Sequence, residues 1–179
     1  MNIDHVHFYV EDARASRNWF VRQLGFQAVA ATFSSFHTCT EVVKSGSVYL
    51  VLSSPLTPLS PVAQFLTQHP AGVTDIAFCV EDLEAVMTKA SAHGAKILQP
   101  IQQHQQGKEC LKWGKIAAWG SLTHTLIERR RDGEIKCRGA QVPGSSSAGE
   151  NLDLFSPLPL CPSAPLPLCP SAPLPLYRH

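Results

Sequence analysis

The chain has six cysteines and eight histidines but no C-x-x-C pair and no His cluster at zinc-finger spacing, which excludes a structural zinc site as the organiser of the fold. Cys39, Cys79, Cys110 and Cys137 read instead as reduced, mostly buried small side chains, whereas Cys161 and Cys169 belong to the tail and read as by-products of its repeat, not ligands. No run reaches the roughly 18 apolar residues of a membrane helix. The first residues include Asn2, Asp4 and His5, unlike a charged and then apolar leader. A cytoplasmic protein with no membrane partner is therefore expected. Charge of one sign is lacking too: the net charge is +1, which argues against nucleic acid as a partner. The one basic run, residues 129–131, reads as a solvated terminus at a domain edge. Ser-His-Asp spacing, a nucleophile elbow and a phosphate-cradling Gly-rich loop are all missing, so the sequence offers no hydrolase triad and no P-loop.

What is present changes character along the chain. Residues 2–131 have the composition of an ordinary globular domain, whereas beyond Gly139 Gly, Ser, Pro and Leu dominate. One domain over 2–131 is expected, with a linker and low-complexity tail over 132–179. A body of about 130 residues buries roughly two-thirds of its unfolded surface, enough for a core without staples.

Within that domain, residues 3–10 begin with alternating polarity and end apolar, as a covered strand does. Asp12 is a candidate N-cap. Trp19, Phe20 and Leu24 recur at helical spacing, and Gly25 supplies the stop. Strands are expected over 26–33, 36–44 and 48–52, and a short helix over 62–67. The order then restarts, with a strand over 72–80 and a helix that carries Leu83, Val86, Met87 and Ala90 on one face and ends at Gly94. Strands over 95–98, 110–118 and 122–128 complete the second round. Phe8-Tyr-Val-Glu-Asp12 lines up with Phe78-Cys-Val-Glu-Asp82 at an offset of 70, and Gly46-Ser47 and Gly120-Ser121 each precede the last strand of a unit. The fold class is therefore α+β, with βαβββ units at about 2–54 and 72–129. One such unit leaves an apolar sheet face exposed, and pairing two of them buries it around a cleft.

This doubled unit resembles the vicinal oxygen chelate superfamily and, within it, the 4-hydroxyphenylpyruvate dioxygenase family. The resemblance is carried by VYLVLSSPLTP (48–58), GVTDIAFCVEDLEAV (72–86), HGAKILQP (93–100) and GSLTHTLIER (120–129). It covers nearly all of residues 2–130. It implies an Fe(II) oxygenase of tyrosine catabolism that takes an aromatic keto acid, 4-hydroxyphenylpyruvate, and O₂ to homogentisate and CO₂. Two His and a carboxylate would hold the iron with open positions for keto acid and O₂. The resemblance places those ligands in a further paired-unit domain, so none is carried onto this chain and no bound iron is expected. An amino-terminal domain inactive alone is the first reading. A free-standing glyoxalase-like or small-ligand-binding module is the alternative.

In the wider superfamily ligands sit on the first and last strands of a unit, which points here to His5 and Ser54 in one unit and Asp75 and Glu128 in the other. Imidazole and two carboxylates from His5, Asp75 and Glu128 could hold a divalent metal. Ser54 is a poor ligand and a second His is lacking, so residues that merely line or brace the cleft are the favoured reading. Glu128 also reads as an exposed strand end. His7 and His124 read as packing or hydrogen-bonding residues, and His37, His69, His93 and His104 lie near turns or loops. Apolar surface left without a packing partner leaves room for a homo-oligomer.

From Pro157 the chain repeats PLPLCPSA with a period of eight residues. One codon assignment writes it as the octanucleotide TGCCCCTC in tandem, a unit that passes through all three reading frames. The expected tail is disordered and Pro/Leu-rich, a by-product of a DNA repeat or frameshift that replaced the second half of a dioxygenase gene. Downstream DNA that encodes the missing half in another frame supports this origin; its absence from every frame speaks against it.

Overall fold

The computed structural model describes residues 1–131 and 134–135; apart from Glu134 and Ile135, the expected linker and tail lie outside the described residues. The elements run β1 (Asn2–Tyr9), α1 (Ala13–Leu24), β2 (Gln27–Ser34), β3 (Thr38–Ser45), β4 (Val48–Pro55), α2 (Pro61–Leu66), β5 (Gly72–Cys79), α3 (Leu83–Ala92), β6 (Ile97–Gln106), β7 (Glu109–Ala117), β8 (Thr123–Arg131) and β9 (Glu134–Ile135). The class is α+β, and the βαβββ order occurs twice.

Matching local signals set matching elements. Asp12 and Asp82 both hold extended backbone before a helix, and their carboxylates accept from the free N–H groups of Arg14 and Ala15 and of Ala85. Gly46 and Gly120 take φ of 58° and 60° in the turn before the last strand of each unit, a conformation costly for residues with a Cβ.

The sheet order is β2-β3-β4-β1-β5-β8-β7-β6, with β9 added to β8. Either end gives the same succession of unit strands. In each unit the first strand lies parallel to the last, β1 on β4 and β5 on β8, and the antiparallel pair β1 and β5 joins the units. The equivalence holds residue by residue. The Val10 N–H donates to Ser53 O at 2.9 Å and the Val80 N–H to Ile127 O at 2.8 Å. The β1–β5 ladder has two register shifts, which leave Asp4 and Thr74 as the extra residues, again 70 apart.

Helices α1 and α3 cover one face. Ala13, Phe20 and Val21 pack with Val6, Phe8, Cys39, Val43, Leu50 and Leu52, while Leu83, Val86 and Met87 pack with Phe78, Val80, Ile116 and Leu126. The two units differ at one matched site. Arg17 of α1 reaches Glu41 of β3, Nη1 to Oε2 at 3.0 Å, with the Glu41 side chain 2% exposed. At the corresponding places stand Met87 and Gly114, and a Cβ on Gly114 would meet Met87 Cε at 3.0 Å. One unit fills the gap between helix and sheet with an ion pair, the other with a thioether over a glycine.

Several expectations are corrected. Trp19 and Leu24 are exposed, because the packing stripe of α1 runs through residues 13, 17, 20 and 21. Phe36 is 95% exposed in the turn before β3 rather than within a strand. Strand β6 continues past Pro100 to Gln106, since it is an edge strand with register shifts flanking Gln99, a setting in which a missing N–H is tolerated. Cys39 and Cys110 are free thiols, but Cys79 is disulfide-bonded, in departure from the reduced state expected of it.

Candidate functional site

Strand alternation sorts the candidate residues between the two sheet faces. Val6 and Phe8 point to the helices, so His5, His7 and Tyr9 point to the opposite, open face. His7 pairs in register with Asp75, and His5 with Ala77. His5, His7 and Asp75 therefore share the open face at the junction of the units. Helix α2 meets this face at one end, where the Phe65 ring packs edge-on to Tyr9 with centroids 5.3 Å apart.

Ser54 and Glu128 lie on the other side. Leu126 packs under α3, and Glu128, two residues on, turns the same way. Its Oε2 accepts the Leu83 N–H at 2.9 Å, and its Oε1 pairs with Arg130. It is 3% exposed, so it is not an open strand end. Burial pushes its carboxyl pKa up, but the Leu83 N–H, the Arg130 guanidinium and the Lys112 charge outweigh this and hold it below the usual value. Glu128 is thus an anionic cap on the first turn of α3. Ser54 pairs with Cys39, which packs under α1. The structure brings His5 and Asp75 to one face and does not bring Glu128 to them.

On the open face His5, His7 and Asp75 each have a partner. His5 Nδ1 lies 2.7 Å from Asp4 Oδ2, and Asp4 is clamped by the Arg129 guanidinium. His7 Nε2 shares a 2.8 Å hydrogen bond with Ser53 Oγ, which lies 2.7 Å from Thr40 Oγ1. Asp75 accepts from the Thr123 hydroxyl and has Lys115 Nζ at 3.8 Å. Burial, with the charges of His5 and Lys115, lowers the His7 pKa to about 3, so His7 is neutral. The Tyr9 hydroxyl is pushed up by burial and by Asp75.

In the basic run Arg129 is drawn in and clamps Asp4, whereas Arg130 and Arg131 stay largely solvated while pairing with Glu128 and Glu109. Sequence reasoning also missed Lys115, Ser53, Thr40 and Thr123. The pairing offset of 74 between the last strands was the one available signal, because it fixes which β8 and β7 side chains share a face with Asp75. His124, read as a packing residue, lies with its ring against Phe78 and Trp119.

Among the described residues no group of three or more His, Cys, Asp or Glu is placed to hold a metal ion. The donors are turned to Ser53, Asp4, Thr123 and Lys115, so the side chains as arranged do not fit iron. Among the described residues no helix is long and apolar enough to cross a membrane.

Over residues 4–111 the sequence matches the family described as Glyoxalase/Bleomycin resistance protein/Dioxygenase superfamily. The 4-hydroxyphenylpyruvate dioxygenase of Coccidioides posadasii (strain C735) is 31% identical over 157 residues, covering 79% of this chain and 38% of the relative. That of Caenorhabditis elegans is 29% identical over 160 residues, covering 87% and 39%. The chain thus spans less than 40% of the length of these curated relatives, in their amino-terminal part. Among solved structures, a variant of 4-hydroxymandelate synthase from Streptomyces coelicolor superposes with a TM-score of 0.64 at 29% identity, covering 70% of this chain and 37% of that one. Methylmalonyl-CoA epimerase from Mycobacterium tuberculosis superposes with a TM-score of 0.56 over 70% of this chain and 86% of that one, at 20% identity, a likeness of fold alone.

Proposed function

Because this chain belongs to the glyoxalase/bleomycin resistance protein/dioxygenase superfamily, we propose that it is the amino-terminal domain of a 4-hydroxyphenylpyruvate dioxygenase-like Fe(II) oxygenase, without that activity on its own. The parent reaction is the conversion of 4-hydroxyphenylpyruvate and O₂ to homogentisate and CO₂ in tyrosine catabolism, in the cytoplasm. The observation that carries the reading is the asymmetry of coverage: the alignment takes in 79% of this chain but 38% of the relative. The domain comprises residues 2–131, with units at 2–54 and 72–129, and residues 132–179 are a linker and tail.

The residues fit a supporting role. Asp4 is matched by Arg129, Asp75 by Lys115 and Thr123, and His7 by Ser53, which makes the open face an internally neutral network. Such a network rigidifies a fold when all members are satisfied. Iron in the parent enzyme supplies a Lewis-acidic centre for keto acid and O₂; no step is assigned to it through the residues of this domain. Apolar side chains such as Trp119 and Leu59 are exposed, which supports a homo-oligomer or a packing partner.

A second reading has one specific observation in its favour. The domain spans 86% of the epimerase chain, so two βαβββ units do occur as a whole protein, and a free-standing glyoxalase-like or small-ligand module follows. The two are separated by one assay. The purified chain, given Fe(II), ascorbate and 4-hydroxyphenylpyruvate, is expected to form no homogentisate, and clear turnover overturns the first reading. Retention of one equivalent of metal that is lost in His5→Ala supports the second.

A further inference from the structure

We propose that Lys115 is the resident cation of a three-donor site formed by His5, His7 and Asp75, and that it keeps a divalent metal from binding there. The β1–β5 register sets His7 directly opposite Asp75, a relation that places Cβ atoms about 5 Å apart. His5, two residues along β1, points to the same face. Two imidazoles and one carboxylate on neighbouring positions are the donor set of an open divalent site.

The side chains nevertheless do not converge, because each donor is held by another partner. Asp75 is drawn to Lys115 Nζ at 3.8 Å and to the Thr123 hydroxyl. His7 is turned to Ser53 Oγ, and His5 to Asp4, itself held by Arg129. Lys115 projects from β7 onto this face, since it pairs with Thr125 beside Ile127 and Trp113 of the same face. Its Nζ lies 3.8 Å from Asp75 Oδ1, on the face that His7 shares. A second cation at this place would meet the ammonium at close range, and the like-charge repulsion is large where the surroundings are partly buried. The lysine side chain, 35% exposed, supplies the positive charge that a metal would otherwise bring to Asp75. With that charge removed, Asp75 is left a buried carboxylate that lacks its cation, with His7 directly opposite it in the ladder.

This inference does not rest on the family reading, because it concerns donors of this chain alone. The test uses the full chain, with Lys115→Gln and Lys115→Met as separate variants checked for fold by circular dichroism. Binding is read by equilibrium dialysis with Zn(II) and by the visible absorption of Co(II). The unaltered protein and Lys115→Arg are expected to bind neither metal at the site. A folded Lys115→Gln or Lys115→Met should take up one equivalent at least ~100-fold more tightly, about 2.7 kcal/mol. The gain should vanish when Asp75→Asn or His7→Gln is added. Stoichiometric metal in the unaltered protein overturns the proposal, as does a folded neutral variant with no gain, or a gain that survives Asp75→Asn.

Discussion

Replacing Arg17 by Met and Glu41 by Gly together should cost far less than the two replacements cost singly. The pair Arg17 and Glu41 occupies in the first unit the place that Met87 and Gly114 occupy in the second. Arg17→Met alone removes the nearer guanidinium from a carboxylate that is 2% exposed and leaves the 71% exposed Arg14 at 3.7 Å as its arginine partner. Breaking a buried pair from one side costs about 3 kcal/mol or more. Glu41→Gly alone leaves Arg17, whose side chain is 30% exposed and can turn to water, so its cost is about 2 kcal/mol, half of it from glycine in a strand. The double variant has no charge to leave unpaired and restores the thioether-over-glycine contact of the second unit. A coupling of about 3 kcal/mol is therefore expected, within the range seen for residues in direct contact. Urea denaturation of the four proteins of the cycle, followed by far-UV circular dichroism, measures it. Additive costs, with a coupling under about 0.5 kcal/mol, would refute the claim that the two units solve one packing problem by different chemistry.

Three further outcomes are expected. Since the folded pKa of His7 is lowered to about 3 and the unfolded value is about 6.5, the unfolded chain binds the extra proton between those limits. Stability should therefore fall as pH drops through that window, by at most about 1.4 kcal/mol per pH unit; urea midpoints against pH measure the slope, and His7→Gln should flatten it. Glu128 titrates below its ordinary value, so its contribution is complete above the ordinary carboxyl range and is lost as pH falls through the depressed value. Glu128→Ala leaves the Leu83 N–H without its side-chain acceptor and takes the carboxylate from Arg130 Nε, and thermal unfolding should show a loss of about 2 kcal/mol at neutral pH; a loss that persists unchanged in acid would count against the carboxylate as the cause. Gly120→Ala forces a Cβ into φ of 60° and should cost about 1 kcal/mol, whereas a neutral result would mean the turn can relax into another type.

The doubled fold was legible because its signals are local. The offset of 70 between Asp12 and Asp82 fixes two helix starts by the same capping chemistry, and Gly46 and Gly120 fix two turns by the same backbone demand. Errors fell where a local signal has two physical meanings. Trp19 and Leu24 have helical spacing, yet the stripe that packs includes Arg17, whose apolar stem and charge both serve β3 through Glu41. The strand expected over 95–98 runs on through Pro100, because an edge strand lacks the partner whose hydrogen bond the proline would break.

The candidate site was legible to a lesser degree, for a reason that lies in the period of the strand. A set chosen by strand membership, such as His5, Asp75 and Glu128, fixes which strands contribute but not which face each side chain takes. A shift of one residue exchanges the faces. The β1–β5 bulge at Asp4 sends Ile3 and His5 to opposite faces of the ladder's pairing, and the cap on α3 claims Glu128 for the helix side. Counting parity back from Leu126, which must face the helix because Leu83 and Met87 do, assigns Glu128 to the helix and Thr125 and Ile127 to the open face. Carried one strand further through the β7–β8 register, the same count brings Lys115 opposite Thr125 and so onto the face of Asp75. The residue that decides the chemistry of that face is thus a lysine on a strand with no ligand candidate, and only the pairing register of three strands reveals it.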